Sequence, residues 1–161
     1  MSTLLRFAAP SEIDAADPEL VRQALIEMGF AAERVTVGPP RPVRDYFGSP
    51  SARQAEVIVA RGRGYADGVS LHADIGLQAV NGRYHLHIDH LDHPFDTADE
   101  NGYEVDEETF MRKLIAAYGV AKAVRAAETI ARNIEAEAQG PVHVRRRVEG
   151  GKIVLRVEYP D

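Results

Sequence analysis

The sequence predicts an α+β domain, an antiparallel sheet built from hairpins with helices packed on one face. Three observations predict it. An Asn81-Gly82 pair separates two alternating segments, Gly150-Gly151 separates two valine-rich ones, and the helical stretches are interspersed with strands that hairpins join, unlike a parallel doubly wound sheet. With 161 residues and 45% hydrophobic side chains there is apolar material for one ordinary core, so a single domain over 1–161 is expected.

In chain order, Leu4, Leu5 and Phe7 suggest a short strand that Pro10 ends, because proline brings no N–H to a ladder. Ser11 to Asp17 reads as loop. Asp17 can cap a helix with Pro18 in its first position, and Leu20, Val21, Ala24, Leu25 and Met28 follow at helical spacing up to Gly29. Arg34 to Val37 alternates like a strand. Gly38 to Pro50 holds four of the nine prolines and two glycines, which predicts an extended connector and no regular element. Glu56 to Ala60 suits a central strand, and Arg61 to Gly68 is a glycine-punctuated turn. From about Asp106 to Gln139 the pattern is helical, with Phe110, Leu114, Ala117, Ala121 and Val124 on one face and Ile130 and Ile134 further along; Gly119 is where it would bend or split. Gly140-Pro141 supplies a stop. Val142, Val144 and Val148 then alternate with His143 and Arg145, and the Gly150-Gly151 turn leads into Ile153, Leu155 and Val157.

Both Asn81 and Gly82 tolerate the positive φ that a two-residue type I′ turn requires, and this turn sets a register. Val80 then faces Arg83, Ala79 faces Tyr84, Gln78 faces His85, Leu77 faces Leu86, Gly76 faces His87, Ile75 faces Ile88 and Asp74 faces Asp89. Ile75, Leu77, Ala79, Tyr84, Leu86 and Ile88 form the core side, while His72, Asp74, Gln78, His85, His87 and Asp89 share the other. Imidazole with carboxylate is suitable chemistry for a divalent first-row metal, and Gly76 opposite His87 would leave room above the sheet for an ion or small ligand. His72, Asp74, His85, His87 and Asp89 are therefore a candidate metal set, with a metal-dependent hydrolase as the activity it would serve. The competing reading is a solvated sheet face on which polar residues gather.

Charge and composition narrow the remaining classes. With 25 acidic against 19 basic side chains the net charge is -6, so general attraction to nucleic acid or an anionic bilayer is not expected. The chain has no cysteine, which excludes disulfides, thiolate metal sites and a cysteine nucleophile. Neither a signal peptide nor a run of transmembrane length is visible, and cytoplasmic residence is the expectation. Ser11, Ser49, Ser51 and Ser70 lack the Gly-x-Ser-x-Gly setting, so a serine triad has no support and the catalytic residues are unassigned. Arg61-Gly-Arg-Gly64 could hold an anion in its amides but lacks the Walker lysine and the dinucleotide fingerprint.

Two charged segments remain. Asp89 to Glu108 carries eight carboxylates beyond Asp89 itself, with His90 and His93 among them, and suits a basic partner or a hard cation, though without EF-hand spacing. Arg145, Arg146 and Arg147, with Lys152 and Arg156 across the turn, make the last hairpin basic, suited to phosphate, nucleic acid or an acidic protein surface. Against these stand a solvated loop whose last carboxylates favour the following helix and an edge strand protected by charge.

The order of several short motifs resembles the domain-of-unknown-function family 1257, of cyanobacteria, algal plastids and other bacteria. The match covers the helix ending at Gly29-Phe30, the strand at Ala55 to Ala60, Asp74-Ile75-Gly76-Leu77 with Asn81-Gly82-Arg83-Tyr84, the Ala117-Tyr118 helix and the hairpin from Gly150 to Val157. The resemblance implies a small cytosolic accessory protein whose genes often lie near AAA-type ATPases or small ferredoxins. His85, His87, His90 and His93 depart from the family's shared core, as does the long loop from Asp92 to Asp106. The leading expectation is an adaptor that contacts a partner protein, an AAA-type ATPase being the class implied, through the basic hairpin or the acidic loop; the rivals are the metal site and nucleic-acid binding by the basic hairpin.

Overall fold

The computed structural model describes residues 2–7, 13, 15–138, 141–149 and 152–158. Its elements are β1 (Ser2–Phe7), α1 (Pro18–Met28), a 3-10 turn (Ala32–Arg34), β2 (Val35–Arg44), β3 (Pro50–Val59), β4 (Ile75–Val80), β5 (Arg83–His87), α2 (Glu107–Ala138), β6 (His143–Glu149) and β7 (Lys152–Glu158). Every strand pairing is antiparallel, in one sheet of order β2-β3-β4-β5 and another of order β1-β7-β6, so the fold is α+β. The chain divides into two compact units, one of residues 12–118 and one of 1–11 with 119–161, and α2 runs unbroken through the change at Gly119.

In the larger unit, Asp17 accepts the Leu20 amide at 3.1 Å, Pro18 opens α1 where no N–H is needed, and Gly29 closes it at φ 128°. α1 lies against β2 and β3 and buries Leu20, Val21, Ala24 and Leu25. The turn at Asn81-Gly82 has φ of 52° and 77°, and the ladder pairs Val80 with Arg83 through Gly76 with His87, one for one with the predicted register. Val35, Val57, Val59, Ile75, Leu77 and Tyr84 fill the inner face.

The proline-rich connector is corrected. Residues 35–44 are an edge strand, in which Pro39, Pro40 and Pro42 are tolerated because the ladder shifts between Val37 and Arg41 and again between Pro42 and Arg44. Arg41 bridges the first shift, bonding Thr36 Oγ1 and, at 3.1 Å, the Glu56 carbonyl. Beyond it the β2–β3 ribbon curls over the second face of the sheet, where Val43, Ala55 and Ile58 form a small core of their own. Asp74 fastens the curl, its amide donating to Arg44 O at 3.0 Å and its carboxylate accepting Arg44 N at 2.9 Å. Gly76 is therefore a close-approach glycine. A Cβ there would lie 2.6 Å from Val43 Cγ2 and 3.0 Å from Ala55 Cβ, so the room expected for a ligand is occupied by protein.

Arg34, expected to begin a strand, instead ends the 3-10 turn and is wholly buried. Its guanidinium donates to Ala60 O, Gly62 O and Val69 O at 2.6–3.2 Å, pairs with the covered Asp67 carboxylate at 3.1 Å and lies over the Tyr65 ring at 4.2 Å. Asp67 also accepts the Ala31 and Val69 amides at 2.8 and 2.9 Å. The segment from Arg61 to Gly68, expected to be a glycine-punctuated turn, is thus wrapped around a buried cation.

In the smaller unit Leu155 packs on Ala123 and Ala127, with Val120 and Val144 beside them. Alanines one turn apart on α2 allow the helix close to the strands. Pairing Glu149 with Lys152 matches the expected hairpin, whereas the Gly150-Gly151 turn, the Pro10 stop, and the ends at Gln139 and Gly140 lie outside the described residues.

Two predictions follow from the packing. Gly76→Ala costs about 2 kcal/mol by overpacking and Gly76→Ala with Val43→Ala recovers part of it beyond additivity, as measured by urea unfolding. Asp67→Asn, which leaves the Arg34 charge buried without its counter-ion, costs about 3 kcal/mol. Burial alone pushes the Asp67 carboxyl up, but the amides of Ala31 and Val69 and the Arg34 guanidinium outweigh it and hold the carboxyl below its ordinary 3.8. Its contribution is therefore complete above pH 3.8 and lost as pH falls through the lowered value, and Asp67→Asn removes that acid limb.

Candidate functional site

The five residues of the candidate metal set do not converge. The ladder stops at the Gly76–His87 pair, so Asp74 and Asp89 do not extend it as expected. Both Asp74 oxygens serve backbone amides instead, Arg44 N at 2.9 Å and Arg61 N at 2.7 Å, and Asp89 accepts Leu91 N at 2.9 Å in a local turn. His85 and His87 share the face predicted for them, His85 exposed and His87 half-buried. Among the described residues no group of three or more histidines and carboxylates is placed to hold a metal ion.

The structure does gather His87, Asp74 and Asp89 with Arg44, Arg53 and Ser51 around an open pocket of about 190 Å3. His87 Nε2 meets Gln78 Oε1 at 2.9 Å; the amide oxygen accepts, so Nδ1 carries the lone pair of the neutral ring. Burial, and then the charges of Arg53 and His85, push the His87 pKa below its usual 6.5 against the pull of Glu107. Ser51 Oγ donates to Val43 O at 2.5 Å, a structural bond that holds the curled ribbon together.

A second array was not visible in the sequence. His72 places Nδ1 2.8 Å from Asp92 Oδ1, while the same buried carboxylate accepts the amides of His72 and Ala73 at 2.9 and 3.1 Å. The His72 ring, half exposed, stacks on Tyr46 with centroids 5.0 Å apart and planes at 14°. Arg61 joins the two, donating Nε to His72 O at 2.7 Å and Nη2 to Tyr46 O at 3.1 Å. Twenty residues separate His72 from Asp92 and twenty-six separate it from Tyr46, so no local spacing could have paired them.

The acidic segment has a consistent structural use. Asp89, Asp92, Asp99 and Asp106 all accept backbone amides, as do Asp17, Asp45, Asp67 and Asp74 elsewhere in the unit. Asp106 caps α2, and the hydroxyl and amide of Thr109 hold its carboxyl below the usual range. These carboxylates brace loops, and the loops carry the exposed apolar side chains Tyr46, Phe47, Leu91 and Tyr103. Phe47, 86% exposed, stands at the tip between β2 and β3 with its ring edge-on to Tyr46 at 5.4 Å. That tip is pinned from several sides: Asp45 Oδ1 accepts the amides of Phe47 and Ser49 at 3.0 Å each, Arg44 donates to Gly48 O at 2.7 Å, and Arg61 donates to Tyr46 O.

The basic residues of the last hairpin divide between two faces. Arg145 lies opposite Arg156 and Arg147 opposite Val154, on one face with Glu149; Arg146 lies opposite Leu155 on the other. Glu158 meets Arg145 at 3.4 Å and Glu149 meets Arg147 at 2.9 Å. No helix among the described residues is long and apolar enough to cross a membrane.

No family model, curated protein or solved structure matches the chain.

Because the folded state disfavours protonated His87, its contribution to stability is fully present above pH 6.5 and is lost as pH falls from there through the lowered value. Unfolding curves between about pH 7 and about pH 5 will show this loss, His87→Gln will flatten it, and the His87 ring resonances will titrate below the ordinary 6.5.

Proposed function

We propose that the protein is a binding module, an accessory protein that docks a partner protein through the Tyr46–Phe47 tip and the adjoining His72 ring. The observation that carries this is the exposure of Phe47 on a backbone that is already fixed. An aromatic ring left in water lowers solubility without serving the core, and large aromatics in rigid positions are the side chains that dominate protein interfaces. Two amides held by Asp45 and two carbonyls held by Arg44 and Arg61 order this loop before any partner arrives. The entropy that binding would otherwise cost at these residues is thereby already spent in folding.

The chemistry of the surface also describes its complement. Phe47 and Tyr46 require an apolar cleft, and Arg44 beside the tip, with Arg53 a few residues along β3, favours an acidic rim around it. An AAA-type ATPase is the partner class that the family resemblance implies, and it belongs to this proposal. The acidic segment from Asp89 to Glu108 is a weaker docking surface, because four of its aspartates are engaged with backbone amides.

A photoreactive phenylalanine at position 47 should yield one discrete adduct with a purified candidate ATPase or other partner, while the same group at the exposed Gln23 yields none. Phe47→Ala should leave unfolding free energy within about 0.5 kcal/mol and weaken binding by about 2 kcal/mol, roughly 30-fold. Equal labelling at both positions, or unchanged affinity on truncation, overturns the proposal.

A further inference from the structure

We propose that the free edge of β6 takes up an extended acidic segment of a protein partner by strand addition, a docking site separate from the aromatic tip. In the sheet of order β1-β7-β6 this seven-residue strand has β7 on one side and, among the described residues, no strand on the other. Backbone amides and carbonyls along such an edge are a template for another strand.

The side chains determine which strand the edge accepts. Arg145 and Arg147, two apart, project to one face, and the register sets Arg145 directly across from Arg156. Like charges so placed repel. The internal relief is partial: Glu158 reaches Arg145 at 3.4 Å with the arginine side chain 75% exposed, and Glu149 engages Arg147, itself 57% exposed. Between the arginines lies an open pocket of about 180 Å3, with the buried Val154 and the half-buried Glu158 in its wall. Two β6 edges meeting each other would juxtapose their arginines, so the charge that prevents self-association does not oppose a strand with carboxylates at alternate positions. That strand places its acids on the face of Arg145 and Arg147 and spends its backbone on the edge.

A peptide suits this face better than a polyphosphate. Glu149 and Glu158 interrupt the row of cations, and among its described residues the His143 imidazole is the one ring present, with no Phe, Tyr or Trp to form a stacking platform for bases. Hydrogen bonding along the edge supplies affinity that charge alone does not.

The test uses the full chain and a fluorescent ten-residue peptide alternating glutamate with valine and threonine, alongside three probes. These are the same peptide with lysine for glutamate, the acidic peptide N-methylated at alternate amides so that one edge cannot pair, and a single-stranded oligonucleotide. Expected results are saturable binding of the acidic peptide, a loss of at least about tenfold on N-methylation and again with Arg145→Glu plus Arg147→Glu, and no binding of the lysine peptide. Phe47→Ala should leave this binding unchanged, so the two docking sites fail or stand separately. The proposal is overturned if the acidic peptide does not bind, if the N-methylated peptide binds equally, or if the oligonucleotide binds more tightly.

Discussion

The larger unit depends on one buried cation. Arg34 sits with no exposed surface and satisfies its guanidinium with three carbonyls, one carboxylate and the face of a tyrosine. A charge can be kept out of water only if every donor finds an acceptor, and here the acceptors come from one stretch, Ala60 to Val69. Glycines at positions 62, 64 and 68 take positive φ, which lets that stretch turn its carbonyls inward. Asp67 closes the arrangement by holding the Ala31 amide just before the 3-10 turn, so the start of β2 and the end of β3 are held through one ion pair.

A related economy governs the loops. Short carboxylates accept one or two amides each, at the ends of helices and in the turns between strands, and so substitute for the ladder bonds that irregular backbone lacks. This accounts for the abundance of aspartate near the candidate site without requiring a cation. It also makes the loops rigid enough to present large side chains. Tyr46 and Phe47 are displayed by a ribbon that curls across the sheet, with Gly76 providing the close approach and Asp74 the fastening.

Charge is distributed by role. In the larger unit aspartates point at their own backbone, whereas on the β6–β7 face arginines point at water and at two glutamates that only partly balance them. The first arrangement stabilises a shape. The second leaves an edge strand that discriminates among possible neighbours by the sign of their charge.

The sequence by itself determined what is local. The Asp17-Pro18 start of α1, the Asn81-Gly82 turn with five cross-strand pairs that follow from it, and the α+β class were legible because each is decided by residues a few positions apart. A strand's alternation then assigned the face of His85 and His87 correctly. Only the tertiary structure decided what fills that face: Val43 and Ala55 arrive from a segment whose prolines disguised it as a connector, since bulges at an edge strand absorb the missing N–H groups. The partnerships of Arg34 with Asp67, of Asp74 with Arg44 and of His72 with Asp92 each span twenty or more positions. No periodicity encodes such pairs, because they are set by the need to satisfy buried polar groups once the chain has already folded back upon itself.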